Sequence, residues 1–161
     1  MGSKVLSTLG LQPCRAFYRE QGFLGALLAG GMFWLLLGLA FPVSPLSWPA
    51  MMSWPFVSLA LVQPAAEELV FRGALQGAVT RLPWGQWSWR GYTSANVMVS
   101  WLFMLGHWWQ HPPLWALLVL LPSLLFGWLR DRYGSVYPAI VLHMVYNTGY
   151  FWLTGFPTAM P

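Results

Sequence analysis

The chain has 161 residues, 57% of them hydrophobic and only 7% charged, against a charged share near 25% in ordinary soluble domains. Its formal net charge is +4 with a pI near 9.6, yet the basic residues are spread over separate loops instead of forming one patch, which argues against nucleic acid as a partner. The single cysteine, Cys14, allows no intrachain disulfide and reads as a small apolar residue near a membrane surface.

Residues 1–20 form a basic lead, with an interfacial helix expected from Pro13 onward. The initial Met-Gly resembles a myristoylation start, but Leu6 stands where that motif needs Ser or Thr. A first span is expected over residues 22–41, uncharged throughout and about 30 Å long at 1.5 Å per residue, enough to cross a hydrocarbon core. It is too long for a signal-peptide core and ends in Phe41-Pro42-Val43 rather than a cleavage site. Gly22, Ala26 and Gly30 recur every four residues along it, a small-residue face for close helix packing.

After a proline-rich outer loop, a second span over residues 51–80 would be about 45 Å long, so it is expected to tilt or to break near Pro64. Gly73 and Gly77 form a G-x-x-x-G that lets a neighbouring backbone approach. The tryptophan-rich loop 82–92 reads as an interfacial belt. Further spans are expected over 94–110, ending in a His111-Pro112-Pro113 turn, over 114–129 with a kink at Pro122, and from Pro138 to about Leu153.

The fold class is therefore all-α, a polytopic transmembrane bundle of about five spans. It divides into a cytoplasmic lead (1–20), a membrane domain (21–155) and a short tail (156–161). Lys4, Arg15, Arg19, Arg81, Arg90, Arg130 and Arg132 all fall in loops on one side. That asymmetry puts the amino terminus in the cytoplasm and the carboxyl terminus outside, in a multi-pass protein of the cell (inner) membrane.

The eighth basic residue, Arg72, is inside a span, together with Glu67 and Glu68. Charges at membrane depth cost roughly 2.5–3.5 kcal/mol each and are seldom kept without a task. On a helix Glu68 and Arg72 are four apart and can pair, while Glu67 points about 100° away and stays available. His107, and His143 with Asn147 four residues on, lie in two other spans. Counted from the inner flanks, Glu67, His107 and Asn147 all reach about 20 Å of depth, with His143 near 16 Å. Polar residues brought to one level by three helices indicate a shared site.

A carboxylate and an imidazole around a water make a general base, and a histidine with an amide donor can stabilise an oxyanion. No serine, threonine or cysteine stands beside them, since Ser100 is two turns from His107. Direct attack of water on an amide is the economical expectation, with no cofactor. A zinc site formed by Glu67, His107 and His143 is the alternative, although the H-E-x-x-H spacing is absent.

Glu67-Glu68-x-x-x-Arg72, Phe103-x-x-x-His107 and His143-x-x-x-Asn147, in this order on successive spans, resemble the three motifs of the CAAX protease and bacteriocin-processing family of intramembrane endopeptidases. The resemblance covers roughly residues 60–150. It implies a glutamic-type protease in which Glu67 and His107 activate water, His143 and Asn147 form the oxyanion site, and Arg72 holds Glu68, with Phe103 in a supporting place. It implies as partners the lipid bilayer and a membrane-anchored protein substrate, such as a carboxy-terminal sorting tag, a CAAX-like tail or a bacteriocin precursor. A non-catalytic immunity or partner-binding protein built on the same motifs is the alternative from a different class, and a proton relay or transporter ranks last.

Overall fold

The structure is a computed structural model that describes residues 2–109 and 112–156. Residues 157–161 of the expected tail, Gln110 at the end of the expected third span and His111 of the expected turn lie outside the described residues.

The chain opens with helix α1 (Gly2–Leu9), continues as extended chain and a short turn at Phe17–Arg19, and enters α2 (Gln21–Ala40). The amino-terminal helix thus precedes Pro13 instead of following it. It forms where it can pack: a side-chain carbon at Gly77 would collide with the backbone carbonyl of Thr8, and one at Gly73 would come within 3.2 Å of Leu9 O. The G-x-x-x-G face is therefore filled by the backbone of this chain's own first helix, which closes onto it most tightly at Gly77, where a Cβ has no room. Arg130 Nη2 donates to Thr8 O at 2.9 Å and Ser135 Oγ to Gln12 O at 2.9 Å, tying the lead to the bundle.

A single-turn helix α3 (Trp48–Met51) precedes the long helix α4, which spans residues 54–79. The break in this segment lies at Met52 and Ser53, after which Trp54 and Pro55 open the new helix, and not at Pro64. Around Pro64 the helix is rewound, with five-residue turns over Ser58–Val62 and again over Leu69–Gln76, and the dihedrals at the junctions stay helical. A proline ring clashes with the carbonyl four residues back in ordinary α winding. Widening the preceding turn moves that carbonyl away, so the helix continues.

Two short strands, β1 (Ser88–Trp89) and β2 (Tyr92–Thr93), pair antiparallel where the sequence predicts only a loop. The two-residue connection Arg90-Gly91 has positive φ at both positions, 51° and 87°, the geometry of a type I′ turn. Helix α5 (Ser94–Trp108) follows, its Thr93 cap accepting the Asn96 N–H at 3.0 Å. Helix α6 (Pro113–Tyr133) runs uninterrupted through Pro122 and ends at Gly134 in the left-handed region, and α7 (Tyr137–Thr154) completes the bundle.

Phe23 and Ala26 of α2, Phe126 and Leu129 of α6, and Ala139 and Leu142 of α7 form one buried apolar cluster. Outward positions are also apolar: Leu28, Leu39, Leu114 and Leu121 are all exposed, as suits a lipid-facing surface. Among the described residues two helices, α2 and α6, are long and apolar enough to cross a membrane by length and composition alone. Helix α5 has 15 residues, and α4 carries the charged cluster.

Candidate active site

Helix α4 presents Glu68, Arg72 and Gln76 along one buried stripe, four residues apart, toward Ser123, Gly127 and Asp131 at the same spacing on α6. Arg72 Nη2 donates to Ser123 O at 3.1 Å and to Ser123 Oγ at 2.7 Å. Gln76 Nε2 donates to Gly127 O at 3.0 Å and Asp131 Oδ1 at 2.7 Å, and Thr93 Oγ donates to Asp131 Oδ2 at 2.6 Å. These bonds set the register of α4 on α6. Gly127 is small because the Asn96 side chain occupies the space where a Cβ would stand; Asn96 donates to Leu124 O at 3.0 Å and accepts from Ser100 Oγ at 3.1 Å. Ser100 is thus occupied in a packing bond away from the glutamates.

Arg72 Nε lies 3.2 Å from Glu68 Oε2, with both side chains fully buried. The contact is electrostatic rather than a well-aligned hydrogen bond, because neither atom meets a partner on the donor axis. The Arg72 guanidinium also sits 5.2 Å from the centre of the Phe103 ring, a cation–π contact that offsets part of its desolvation. Glu68 uses its other oxygen on His143, whose Nδ1–H donates to Oε1 at 2.9 Å.

His143 is held on three sides. Its ring stacks on Phe126 at 4.7 Å and 21° and meets the Phe103 ring at 6.1 Å and 71°. With Nδ1 on Glu68, Nε2 points toward Glu67 Oε2, 3.9 Å away. That separation exceeds a direct hydrogen bond. Glu67 retains 33% of its side-chain exposure, in contrast to the fully buried Glu68.

His107 on α5 donates Nδ1–H to Phe103 O at 3.0 Å, and its ring lies 4.5 Å from the Phe103 ring. In the neutral tautomer this bond leaves Nε2 as the basic nitrogen. His107 and His143 thus meet at the Phe103 ring, 4.5 and 6.1 Å from its centre. Phe103 is the hub: Phe71 packs against it edge-on at 4.9 Å, the Arg72 guanidinium lies over its face, and His107 and His143 stand against the ring. Asn147 lies one turn beyond His143 on α7, and its Nδ2 donates to Leu59 O at 3.1 Å.

Glu67, Glu68, Arg72, Phe103, His107 and His143 therefore converge, with the Asn147 amide turned to the α4 backbone. Sequence reasoning missed Ser123, Phe126 and Phe71. The shared four-residue spacing of Glu68-Arg72-Gln76 and Ser123-Gly127-Asp131 is the signal that could have paired α4 with α6. Among the described residues no group of three or more His, Cys, Asp and Glu side chains is placed to hold a metal ion.

A family model described as "Type II CAAX prenyl endopeptidase Rce1-like" matches residues 48–149. That range takes in every site residue and leaves out α1 and α2. No curated protein and no solved structure gives a significant match. The family supports a membrane protease acting on membrane-anchored proteins. On a match that covers well over half of its length and contains all three polar motifs, the chain belongs to the Rce1-like family of type II CAAX prenyl endopeptidases.

Proposed function

We propose that this protein is a glutamic-type intramembrane endopeptidase that hydrolyses an amide bond in a membrane-anchored protein by direct attack of water. The observation that carries the reading is the difference between two adjacent acids. Glu68 is fully buried between Arg72 and His143, whereas Glu67 is partly exposed with an oxygen directed at the His143 Nε2.

Glu67, with the basic nitrogen of His107 nearby, orients a water and takes one of its protons as the oxygen bonds to the scissile carbonyl carbon. The carbonyl electron pair moves onto oxygen. That oxyanion is met by His143 in the form protonated at Nε2, whose positive charge offsets the developing negative oxygen while Glu68 holds Nδ1, and by the second N–H of the Asn147 amide. Collapse of the intermediate expels the nitrogen, which takes the proton from Glu67, leaving a carboxyl and an amine product. Arg72 neutralises Glu68, so Glu68 serves as a fixed support for His143.

Five helices, α2 and α4 to α7, cross the bilayer in this reading, with the amino terminus cytoplasmic. A site in the middle of such a bundle is best reached by a substrate already in the lipid, which favours an anchored carboxy-terminal segment over a soluble peptide. The test is a lipid-reconstituted assay with a quenched fluorescent peptide carrying a membrane anchor. Glu67→Gln should insert and fold normally with cleavage reduced by at least about 100-fold. Cleavage retained by that variant would refute the assignment of Glu67 as base, and joint loss of folding would favour a structural, non-catalytic motif.

A further inference from the structure

The wide turn before Pro64 has a consequence for the site on α7. Gln63 N–H donates to Ser58 O, five residues back. In that register Leu59 O would receive its bond from the N–H of residue 64, and residue 64 is a proline, which has none. A part-buried carbonyl in a bundle surrounded by lipid still needs a donor from elsewhere. Asn147 supplies it, through Nδ2 to Leu59 O at 3.1 Å. A carboxamide nitrogen carries two hydrogens, and Leu59 O accepts only one of them.

We infer that Pro64 is a positioning residue: by withholding an N–H from Leu59 O, it reserves that carbonyl for Asn147 and so fixes the amide's second N–H one helical turn from His143. The inference rests on the proposed hydrolysis, in which that N–H faces the oxyanion. Pro64 is buried and its ring carries no polar group, so its influence on the amide runs through the backbone. In Pro64→Ala the restored N–H competes for Leu59 O, and the Asn147 side chain loses the contact that orients it.

The experiment is a double-mutant cycle on the full chain, with Pro64→Ala, Asn147→Ala and the double variant, reading thermal stability, kcat and KM on the anchored peptide. Asn147→Ala should lower kcat about 100-fold, the usual effect of removing one oxyanion donor. Pro64→Ala should lower kcat about tenfold with KM unchanged, and adding Asn147→Ala to it should cost about tenfold rather than about 100-fold. The stability lost in Asn147→Ala should likewise shrink in the Pro64→Ala background, where residue 64 now serves Leu59 O. Additive effects on kcat, or a Pro64→Ala enzyme with full kcat per folded molecule, would overturn the positioning role. The stability cycle does not depend on catalysis. Failure of the Pro64–Asn147 coupling appears there as additive losses, whereas failure of the hydrolytic reading appears as cleavage by Glu67→Gln.

Discussion

Replacing Arg72 with methionine keeps much of the side chain's volume and removes its charge, and the structure sets the size of the effect. Glu68 would remain fully buried beside His143 with its only guanidinium partner gone, while Ser123 O and Oγ would each lose a donor. Breaking a buried ion pair by removing one member costs about 3–5 kcal/mol, mostly the penalty of the stranded charge. Arg72→Lys retains the charge but not the fork that reaches both Ser123 atoms, so a smaller loss of about 1.5–3 kcal/mol is expected. The diagnostic variant is Glu68→Gln/Arg72→Met. It removes both charges while the amide oxygen introduced at position 68 can still accept from His143 Nδ1, so it should recover at least half of the stability lost in Arg72→Met alone. Denaturant unfolding in detergent micelles, followed by tryptophan fluorescence, measures all four proteins. A loss below about 1 kcal/mol in Arg72→Met, or a double variant less stable than the single, would refute the claim that Arg72 is there to neutralise Glu68.

Three other outcomes follow from the same geometry. Gly77→Val places side-chain carbons against the rigid Thr8 carbonyl, so it should lower stability by about 1–3 kcal/mol and expose α1 to limited proteolysis; an α1 as protected as in the parent protein would contradict the packing. The Cys14 thiol is pushed up by burial first and by the Glu20 carboxylate second, so its thiolate forms at higher pH than in the unfolded chain. Maleimide labelling should accordingly reach half-maximal rate at higher pH when folded, with Glu20→Gln moving the midpoint down; a folded midpoint at or below the unfolded one would count against this. Peptidase activity should survive 1,10-phenanthroline at a concentration of about 1 mM, a level ample for stripping ordinary protein zinc sites, and a loss that added zinc restores would replace the glutamic mechanism with a metal one.

What the sequence makes legible is mostly local. Glu68 and Arg72 sit four apart in a strongly helical stretch, so their pairing and the separation of Glu67 follow from helix geometry alone. That polar residues from three spans meet is also partly readable, since counting rise along each helix brings them to similar levels. The partner of His143 is not: its Nδ1 bond goes to Glu68, a contact across two helices that no spacing encodes. Helix α6 reads as a featureless apolar span, yet Ser123 and Phe126 support Arg72 and His143. The expected break at Pro64 does not occur because the turn before it widens and because Asn147 takes over the carbonyl the proline leaves. The first helix escapes a local reading for a related reason, as its packing partner is the glycine face of α4, far along the chain. The hairpin has a weak local signal, the turn glycine of Arg90-Gly91, masked by the tryptophans around it.

The most direct measurement is a side-by-side comparison of Glu67→Gln and Glu68→Gln, reading kcat per folded molecule and unfolding free energy on the same preparations. The account predicts that Glu67→Gln keeps the parent stability and loses about 100- to 10,000-fold in kcat, while Glu68→Gln shifts stability because Arg72 is left buried without its counter-charge. The opposite division, with Glu68→Gln the stable and inactive variant and Glu67→Gln an active one, would contradict it.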